Sequence, residues 1–256
     1  MSKSPTTRFT SRVQDYVNYR PHYPSEVIGI IQRHCGLTAE WIVADIGSGT
    51  GISSELFLQN ANTVWAVEPN DAMRQAAENQ LCDNFGFRSI KGSAESTTLP
   101  DESVDLVVAG QAFHWFELDK TRSEFHRILK PGGWVVLMWN ERPSAVADDD
   151  GFLIAYDQLL HTFSPDYASV DHRNTDHVKI QAFFDSFPVV CDGCPNQQTL
   201  DLPSLEGRLL SSSYAPEAGQ EGHEEMMLEL RRIFLKHARN GNVVMPYQTR
   251  VYMGQL

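Results

Sequence analysis

The chain has 256 residues, of which 41% are hydrophobic and 21% charged, and 33 acidic against 21 basic residues give a net charge of −12. This composition is typical of globular proteins and excludes disordered and collagen-like chains. The negative charge opposes contact with phosphate backbones and anionic lipids, so we expect neither nucleic acid nor a membrane as a partner.

The cysteines and the N-terminal residues indicate a reduced, cytoplasmic protein. Four cysteines are too few for a disulfide framework, and the first residues lack the apolar core of a signal peptide. Cys191 and Cys194 have the spacing of a metal-binding pair, but no second pair lies nearby, so no metal is predicted. His161, His172 and His177 stand in a polar stretch and are expected to be solvated.

Short β-branched runs alternate with amphipathic stretches from about residue 41, which predicts βαβ units. The predicted strands are Trp41–Asp45, Thr63–Val67, Phe87–Ile90, Val104–Ala109 and Trp134–Trp139. Helices are predicted over Asp71–Leu81, with Asp71 as the N-cap type residue, and over Asp119–Leu129, which Pro131-Gly-Gly133 ends before the next strand. The fold class is therefore α/β, with a Rossmann-like, mostly parallel sheet covered by helices on both faces.

The alternation of strand and helix patterns ends after Asn140. Residues 144–180 carry one predicted helix, Phe152–Phe163, and read as an inserted lid over one end of the sheet. The C-terminal part, residues 188–256, predicts strands near Pro188–Leu202 and Val243–Leu256, and helices near Ser204–Leu210 and Glu221–Arg239. The two strands predict an antiparallel hairpin on the sheet edge. We expect one domain over residues 1–256, with residues 10–140 as its ligand-binding core.

The sharpest motif is the run from Asp45 to Gly51, where the first strand gives way to a helix. Gly47, Gly49 and Gly51 remove every Cβ from one side of the turn, so a nucleotide-like ligand can lie against the backbone. Dinucleotide loops place their third glycine one residue later, and Asp45 would repel a pyrophosphate but attract an ammonium. Glu68, at the end of the second strand, can accept from both ribose hydroxyls. Ribose plus ammonium without phosphate describes S-adenosylmethionine.

On these motifs the chain resembles the class I S-adenosylmethionine-dependent methyltransferases, and within them it is similar to the ubiquinone-biosynthesis and trans-aconitate methyltransferase-like group. The resemblance covers about residues 10 to 140. Besides the glycine loop, the matching stretches are Tyr16–Pro24, Val67-Glu68-Pro69, Gly92–Pro100, Ser103–Leu106, Gln111–Phe116 and Arg127–Gly133. The resemblance implies a Rossmann-like fold and S-adenosylmethionine as the cofactor.

The resemblance also assigns roles to single residues. It implies that Gly47, Gly49 and Gly51 face the methionine part, that Glu68 takes the ribose, and that the turn Ser93-Ala94-Glu95 meets the adenine. Tyr16 and Arg20 are expected to close over the cofactor. Ser93 stands where the family often has an aspartate, which gives the adenine amino group a neutral acceptor in place of a charged one.

His114 is the candidate catalytic residue, because it follows the fourth strand at the carboxyl edge, where ligands of open α/β sheets bind. A neutral imidazole there can take a proton from the methyl acceptor. The alternative is a histidine that bonds to backbone and shapes the pocket with Trp115 and Phe116. The sequence leaves both roles open.

The predicted function is methyl transfer from S-adenosylmethionine to a small-molecule acceptor by in-line displacement. The acceptor pocket is expected between Tyr16–Pro24 and residues 144–180, and an aromatic and acidic lining predicts an acceptor that is small and not strongly anionic. One alternative is an S-adenosylmethionine-binding protein without turnover. A second is a nicotinamide-dependent oxidoreductase, which the glycine spacing and Asp45 disfavour.

Overall fold

The computed structural model describes residues 12–143, 151–164, 167, 177–185 and 187–256. Within these ranges, seven strands form one mixed sheet. The strands are β1 (Ile42–Ile46), β2 (Thr63–Val67), β3 (Phe87–Ile90), β4 (Val104–Gly110), β5 (Leu129–Glu141), β6 (Val190–Leu200) and β7 (Val243–Gly254). Their order across the sheet is β3-β2-β1-β4-β5-β7-β6.

Helices cover both faces of this sheet. They are α1 (Val13–Tyr19), α2 (Glu26–Cys35), α3 (Ile52–Gln59), α4 (Asp71–Leu81), α5 (Leu118–Ile128), α6 (Phe152–Phe163), α7 (His177–Phe184), α8 (Leu202–Leu210) and α9 (His223–His237). Buried residues of α2 and α3 pack on one face, and those of α5 and α7 pack on the other. The predicted α/β class is confirmed.

The first five strands are parallel, and β1 lies among them between β2 and β4. The chain runs outward from β1 to β2 and β3, and then returns to place β4 on the opposite side of β1. In an open parallel sheet this reversal separates the loops that follow the two central strands and opens a crevice at their carboxyl ends. The fold thus positions a binding site next to the end of β1.

The helix predicted over Asp71–Leu81 has those bounds, but its N-cap is the preceding residue, Asn70. The Asn70 side-chain oxygen accepts hydrogen bonds from the backbone N–H groups of Ala72 at 2.9 Å and Met73 at 3.1 Å. Asparagine is a favoured N-cap because it satisfies such exposed donors. Asp71 is therefore the first helical residue, where its negative charge complements the helix dipole.

The Pro131-Gly-Gly133 stretch lies inside a strand, whereas the sequence predicts that it separates a helix from a strand. The helix ends at Ile128, and β5 runs without a break from Leu129. Its pairing with β4 shifts register between Leu129, opposite Val104, and Trp134, opposite Leu106. The extra residues form a bulge, which is where strands tolerate proline and glycine. Pairing along β4 thus overrides the local turn preference.

The C-terminal strands extend the sheet with opposite polarity. β7 runs antiparallel to β5 on one side and to β6 on the other, so the predicted antiparallel pair is confirmed. In the chain, however, α8 and α9 separate β6 from β7. Together with α6 and β7 these helices bury a third apolar cluster, which includes Tyr156, Leu205, Met226, Leu230 and Met245.

The sequence patterns predict no helix before residue 41, where the structure has α1 and α2. α1 packs against α8 at Gly207, whose missing side chain leaves room for the ring of Tyr19. Arg12 donates to the backbone carbonyls of Leu210, Ser212 and Ala215. These contacts fix the N-terminal segment beside the C-terminal helices.

Some predicted features can be compared only in part. Among the described residues, no helix has the length and apolar content needed to cross a membrane, and no cluster of three or more metal-ligating side chains occurs. His161 and His177 are exposed. His172 and most of the predicted lid over residues 144–180 lie outside the described residues.

Candidate active site

Four segments meet at the carboxyl edge of the parallel sheet. The glycine loop, residues 47–51, follows β1, Glu68 follows β2, residues 93–95 follow β3, and residues 110–116 end β4 and continue beyond it. Between them lies a cavity of about 230 Å³, here called the first cavity. Its walls include Gly47, Gly49, Glu68, Ser93, Ala94, Glu95, Trp115 and Phe116. The structure thus brings together most of the residues predicted to bind the cofactor.

The glycine loop depends on the absence of side chains. Gly47 has φ +69°, and a Cβ there would lie 2.7 Å from the Cβ of Ala112. Gly51 has φ +90°, and a Cβ there would lie 2.6 Å from the side chain of Leu81 in α4. Gly47 and Gly49 line the first cavity, but Gly51 does not. Gly51 therefore allows α3 and α4 to pack closely and forms no part of the cavity wall.

Glu68 presents a carboxylate to the first cavity and is 8% exposed. Its Oε1 accepts from the backbone N–H of Asn70 at 2.8 Å, and its Oε2 accepts from that of Gly49 at 2.9 Å. Burial raises the pKa of Glu68 above its ordinary value, against the opposing effect of these two N–H groups. Each oxygen keeps a second lone pair, so the carboxylate can also accept from two hydroxyls of a ribose.

The turn after β3 gives the first cavity a wall of backbone and short side chains. Ser93 and Ser96 exchange backbone hydrogen bonds, and Glu95 accepts from the backbone N–H of Glu117 at 3.1 Å. Burial raises the pKa of Glu95, but hydrogen bonds from Glu117 and the Ser93 side chain lower it overall. With the aromatic rings that follow β4, this wall suits a flat heterocycle such as adenine.

Asp45 lies in β1 behind the glycine loop, fully buried, and is not part of the first cavity's lining. Its Oδ2 accepts from the hydroxyls of Ser53 at 2.7 Å and Ser54 at 2.6 Å. Its Oδ1 is buried without a hydrogen-bond partner in the described part of the chain. Burial raises the pKa of Asp45 to about 6, although the serine hydrogen bonds oppose the shift. Asp45, which is predicted to bind an ammonium group of the ligand, thus lies behind the glycine loop and outside the cavity wall.

A second cavity, of about 60 Å³, adjoins the first, and the two share Tyr16, Gly47, Gly49, Gly110 and Gln111 as lining residues. Besides these it is lined by Arg20, Tyr23, Asn140, Arg142, Tyr167, Arg208, Tyr214 and Tyr247, among others. Of the N-terminal residues predicted to close over the cofactor, Tyr16 lines both cavities and Arg20 lines only the second. No carboxylate lines the second cavity among the described residues. Most of residues 144–180, which are also expected to line the acceptor pocket, lie outside the described residues, so the acidic lining stays a prediction.

Few side chains stand at the boundary between the two cavities. A Cβ on Gly110 would lie 2.8 Å from the hydroxyl of Tyr23. That hydroxyl and Oε1 of Gln111 are both buried without a hydrogen-bond partner in the described ranges. Gln111 also has φ +55°, an uncommon conformation for a residue with a side chain and one that clusters at functional sites. Two polar atoms are therefore ready to contact a ligand at this boundary.

Asn140 ties the elements around the second cavity together and is 6% exposed. Its Nδ2 donates to the carbonyl oxygens of Pro21 at 3.4 Å and His22 at 3.3 Å. Its Oδ1 accepts from Thr249 Oγ1 at 2.6 Å and Asn196 Nδ2 at 3.1 Å. One buried amide at the end of β5 thus fixes the N-terminal segment against the C-terminal strands.

The C-terminal residues of the second cavity were not predicted as site residues. Arg208 lies on the buried face of α8 with Leu205 and Leu209, and it is 7% exposed. Arginine is seldom buried without a partner, so its position on an apolar helix face is a signal that sequence reasoning could have used. Tyr214 and Tyr247 have no comparable signal, because tyrosines are common in ordinary cores.

His114 lies in a 3-10 turn, Phe113–Trp115, and lines neither cavity. Its ring packs against Trp115, with 4.6 Å between the ring centroids. Burial and the nearby charge of Lys179 lower the pKa of His114 to about 4, so the imidazole is neutral at pH 7. Lys179 in turn donates to three carbonyl oxygens of this turn, those of Phe113, His114 and Phe116. This arrangement favours the pocket-shaping role over the catalytic one.

A family model described as a methyltransferase domain matches residues 44–137. This range contains the glycine loop, Glu68, the turn after β3 and the segment after β4, which together form the first cavity. Residues 44–137 therefore carry a methyltransferase domain.

Relatives of known name agree with this family. A Schizosaccharomyces pombe protein, an uncharacterized methyltransferase, is 31% identical over 139 residues, which is 54% of each chain. A Saccharomyces cerevisiae protein named as a probable S-adenosylmethionine-dependent methyltransferase is 28% identical over 157 residues, 59% of this chain and 52% of the relative. The chain thus spans about half the length of both curated relatives.

Among solved structures, a protein from Anaeromyxobacter dehalogenans named as a type II methyltransferase is similar in fold. The TM-score is 0.62 at 22% identity, over 93% of this chain and 98% of the other. Together the comparisons confirm the predicted family and fold, and with the family its cofactor, S-adenosylmethionine.

In the methyltransferase domain, Asp45 should lower the stability of the ligand-free protein as pH rises from about 4 to about 6. The pKa of Asp45 rises from its ordinary 3.8 to about 6 on folding, so the folded state binds this proton more tightly and loses that advantage as the proton leaves. Across this pH interval, the thermal midpoint of Asp45→Asn should therefore rise relative to that of the parent chain, because asparagine has no proton to lose. A difference that does not change with pH would contradict the assignment.

For His114 we expect kcat of His114→Ala to stay within about tenfold of the parent value, because loss of a general base costs about 10²- to 10⁴-fold. Affinity for S-adenosylhomocysteine should fall modestly, since Trp115 loses its packing partner. The check is steady-state kinetics with the acceptor found as described below, and His126→Ala, an exposed histidine of α5, is the control. A drop in kcat of more than about 100-fold would restore the catalytic role.

Proposed function

We propose that the protein transfers the methyl group of S-adenosylmethionine to a small-molecule acceptor by in-line displacement. The observation that carries this proposal is the pair of adjoining cavities with a shared boundary. The first fits the cofactor, and the second offers a separate site for the acceptor. Because the two sites meet at the boundary, a group can pass directly from one ligand to the other.

The residues of the first cavity fit each part of S-adenosylmethionine. Glu68 accepts from the ribose hydroxyls, and the turn at residues 93–95 borders the adenine. The bare backbone of Gly47 and Gly49 borders the methionine part, and Asp45 supplies the negative charge that favours its ammonium. When bound, the cofactor supplies a methyl group on a positively charged sulfur, which is already activated for transfer.

The chain's own contribution is alignment. Three of the five residues that the two cavities share, Gly47, Gly49 and Gly110, have no side chain, while the side chains of Tyr16 and Gln111 border both cavities. Tyr23 and Gln111 offer a hydroxyl and an amide oxygen there to orient the acceptor. Holding two reactants in the productive geometry lowers a barrier by about 7 to 11 kcal/mol in well-oriented cases, so no further catalytic group is required.

The size of the second cavity supports a small acceptor. Its 60 Å³ corresponds to about four to six water molecules, since one water needs about 10 to 15 Å³ in the same measure. The described walls include residues of the N-terminal segment, β5, α8 and β7, which surround the acceptor on several sides. Such a site favours a small molecule over a protein side chain on a folded surface or a nucleic-acid base.

The direct test supplies the purified protein with methyl-labelled S-adenosylmethionine and a fractionated cell extract. We expect label in the small-molecule fraction with the parent chain and much less label with Glu68→Ala at the same cofactor concentration. Label found only in protein or nucleic acid would contradict the small acceptor. Binding of S-adenosylhomocysteine without any labelled product would favour a binding protein without turnover, and binding of NADH alone would favour the oxidoreductase.

In-line displacement predicts inversion at the transferred carbon. A cofactor whose methyl group is made chiral with hydrogen, deuterium and tritium reports this outcome in the isolated product. Inversion supports direct transfer across the boundary, whereas retention would require an intermediate methylated group of the protein and would contradict the proposal.

A further inference from the structure

Three arginines converge on the second cavity from distant parts of the chain. Arg20 follows α1, Arg142 follows β5, and Arg208 belongs to α8; together they are called the arginine cluster. The side chain of Arg142 is 13% exposed and Arg208 is 7% exposed. Arg20 is also only partly exposed, and one buried and two largely covered guanidinium groups around one small cavity are unusual in a chain whose net charge is −12.

Within the part of the chain that the structure describes, the positive charge of the arginine cluster is mostly uncompensated. Among the described residues, the acidic partner of the cluster is Asp157, whose Oδ1 lies 3.8 Å from Nη2 of Arg142. Arg20 donates to the carbonyl oxygen of Ser211 at 2.9 Å, and Arg208 donates to the hydroxyl of Tyr247 at 3.2 Å. Neutral acceptors do not balance a buried cation, so the cavity favours an anionic ligand.

The cluster also has an unused donor. Nε of Arg20 is buried without a hydrogen-bond partner in the part of the chain that the structure describes. Burial and the neighbouring charge of Arg208 both lower the pKa of Arg20. Burial raises the pKa of Tyr214, but the charges of Arg142 and Arg208 bring it below its ordinary value. The lowered pKa of Tyr214 reflects the charges of these arginines, whereas burial lowers the pKa values of Arg142 and Arg208 but neighbouring tyrosines raise them overall.

The geometry separates anchoring from reaction. All three arginines line the second cavity, and none of them is among the five residues that it shares with the first. An anionic group held by the cluster therefore lies away from the boundary where the methyl group passes. The planar guanidinium fork matches the two oxygens of a carboxylate, and the small volume favours that group over larger anions.

On the basis of the proposed function, we propose that the methyl acceptor is a small molecule bearing a carboxylate, which the arginine cluster anchors while a different atom of the acceptor faces the boundary and receives the methyl group. This assignment replaces the expectation of an acceptor that is not strongly anionic. It also moves Arg20 from cofactor binding to acceptor binding.

The test measures binding by calorimetry to the full chain saturated with S-adenosylhomocysteine. The probes are succinate and benzoate, their uncharged amides, and inorganic phosphate. We expect at least one carboxylate to bind and its amide not to bind. Arg208→Gln and Arg20→Gln should each lower the affinity for that carboxylate by about 30-fold or more. This is the loss expected when one partner of a buried charged contact is removed.

The controls separate this proposal from the methyl-transfer proposal. Affinity for S-adenosylhomocysteine should change by less than about threefold in both arginine variants, because neither arginine lines the first cavity. Arg232→Gln, on the exposed side of α9, should leave both affinities unchanged. Thermal midpoints verify that each variant is folded. If one of the two test variants, Arg208→Gln or Arg20→Gln, fails to fold, the affinity of the other for the carboxylate still tests the proposal.

Three outcomes would overturn the assignment. Equal binding of carboxylate and amide would show that charge is not recognised, and binding of phosphate alone would exclude a carboxylate. If the protein binds S-adenosylhomocysteine but none of the carboxylates, the proposal of a carboxylate-bearing acceptor is rejected. The proposal of methyl transfer is not affected by that result. Absence of S-adenosylhomocysteine binding in the folded parent chain would instead reject the proposed function on which this assignment depends.

Discussion

Replacing Glu68 by alanine should weaken binding of S-adenosylhomocysteine by about 100-fold or more. The carboxylate supplies two charged acceptors for the ribose diol, and hydrogen bonds to charged groups contribute about 1.5 to 3 kcal/mol each. A loss of about 3 kcal/mol corresponds to more than 100-fold in affinity. Calorimetric titration of the purified variant gives the dissociation constant directly.

Glu68 also organises the protein, and the controls must account for this. Its two oxygens accept from the N–H groups of Gly49 and Asn70, so alanine leaves those donors to water. Glu68→Gln keeps the size of the side chain, and it should bind more weakly than the parent because its NH₂ group cannot accept from the diol. Glu225→Ala, on the exposed face of α9, is the control for charge. Parent-like affinity in folded Glu68→Ala would refute the ribose assignment.

Gly47→Ala should abolish measurable binding of the cofactor. The new Cβ would lie 2.7 Å from the Cβ of Ala112, so the loop or the segment after β4 must move. Both form walls of the first cavity, and displacements of about 1 Å in such positioning elements cost about 100-fold in turnover. The measurements are S-adenosylhomocysteine titration and the thermal midpoint.

Gly132→Ala is the matched control for this substitution. Gly132 has φ +80°, close to the +69° of Gly47, but a Cβ there would have no heavy atom within 4 Å. Both variants therefore carry the strain of a left-handed alanine, about 1 to 2 kcal/mol, and only Gly47→Ala adds a steric clash. Equal effects of the two variants on cofactor affinity would mean that the clash does not matter.

Local patterns predict the first cavity well, because its residues follow consecutive strands of a parallel sheet. The spacing of Gly47 and Gly49 and the position of Glu68 after β2 are local features, and the parallel order alone brings them together. Gly51 and Asp45 are less well predicted. Their positions depend on how α3 packs against α4 and on two serines of α3, which the motif does not encode.

The second cavity could not be predicted in the same way. Tyr16, Asn140, Arg208 and Tyr247 are far apart in the chain and meet only because α1 packs on α8 and β7 inserts between β5 and β6. The net charge is uninformative about this cavity for a related reason. A net charge of −12 is a sum over the surface and the interior, and it does not reveal that buried arginines concentrate around one cavity.

The most direct test of the central claim is an experimental structure of the protein with S-adenosylhomocysteine. The account predicts the nucleoside in the first cavity, with both ribose hydroxyls bonded to Glu68 and the adenine at the turn of residues 93–95. The sulfur should face Gly110 and the second cavity. A nucleoside bound elsewhere, or a first cavity closed by the protein's own side chains at saturating ligand, would contradict the account.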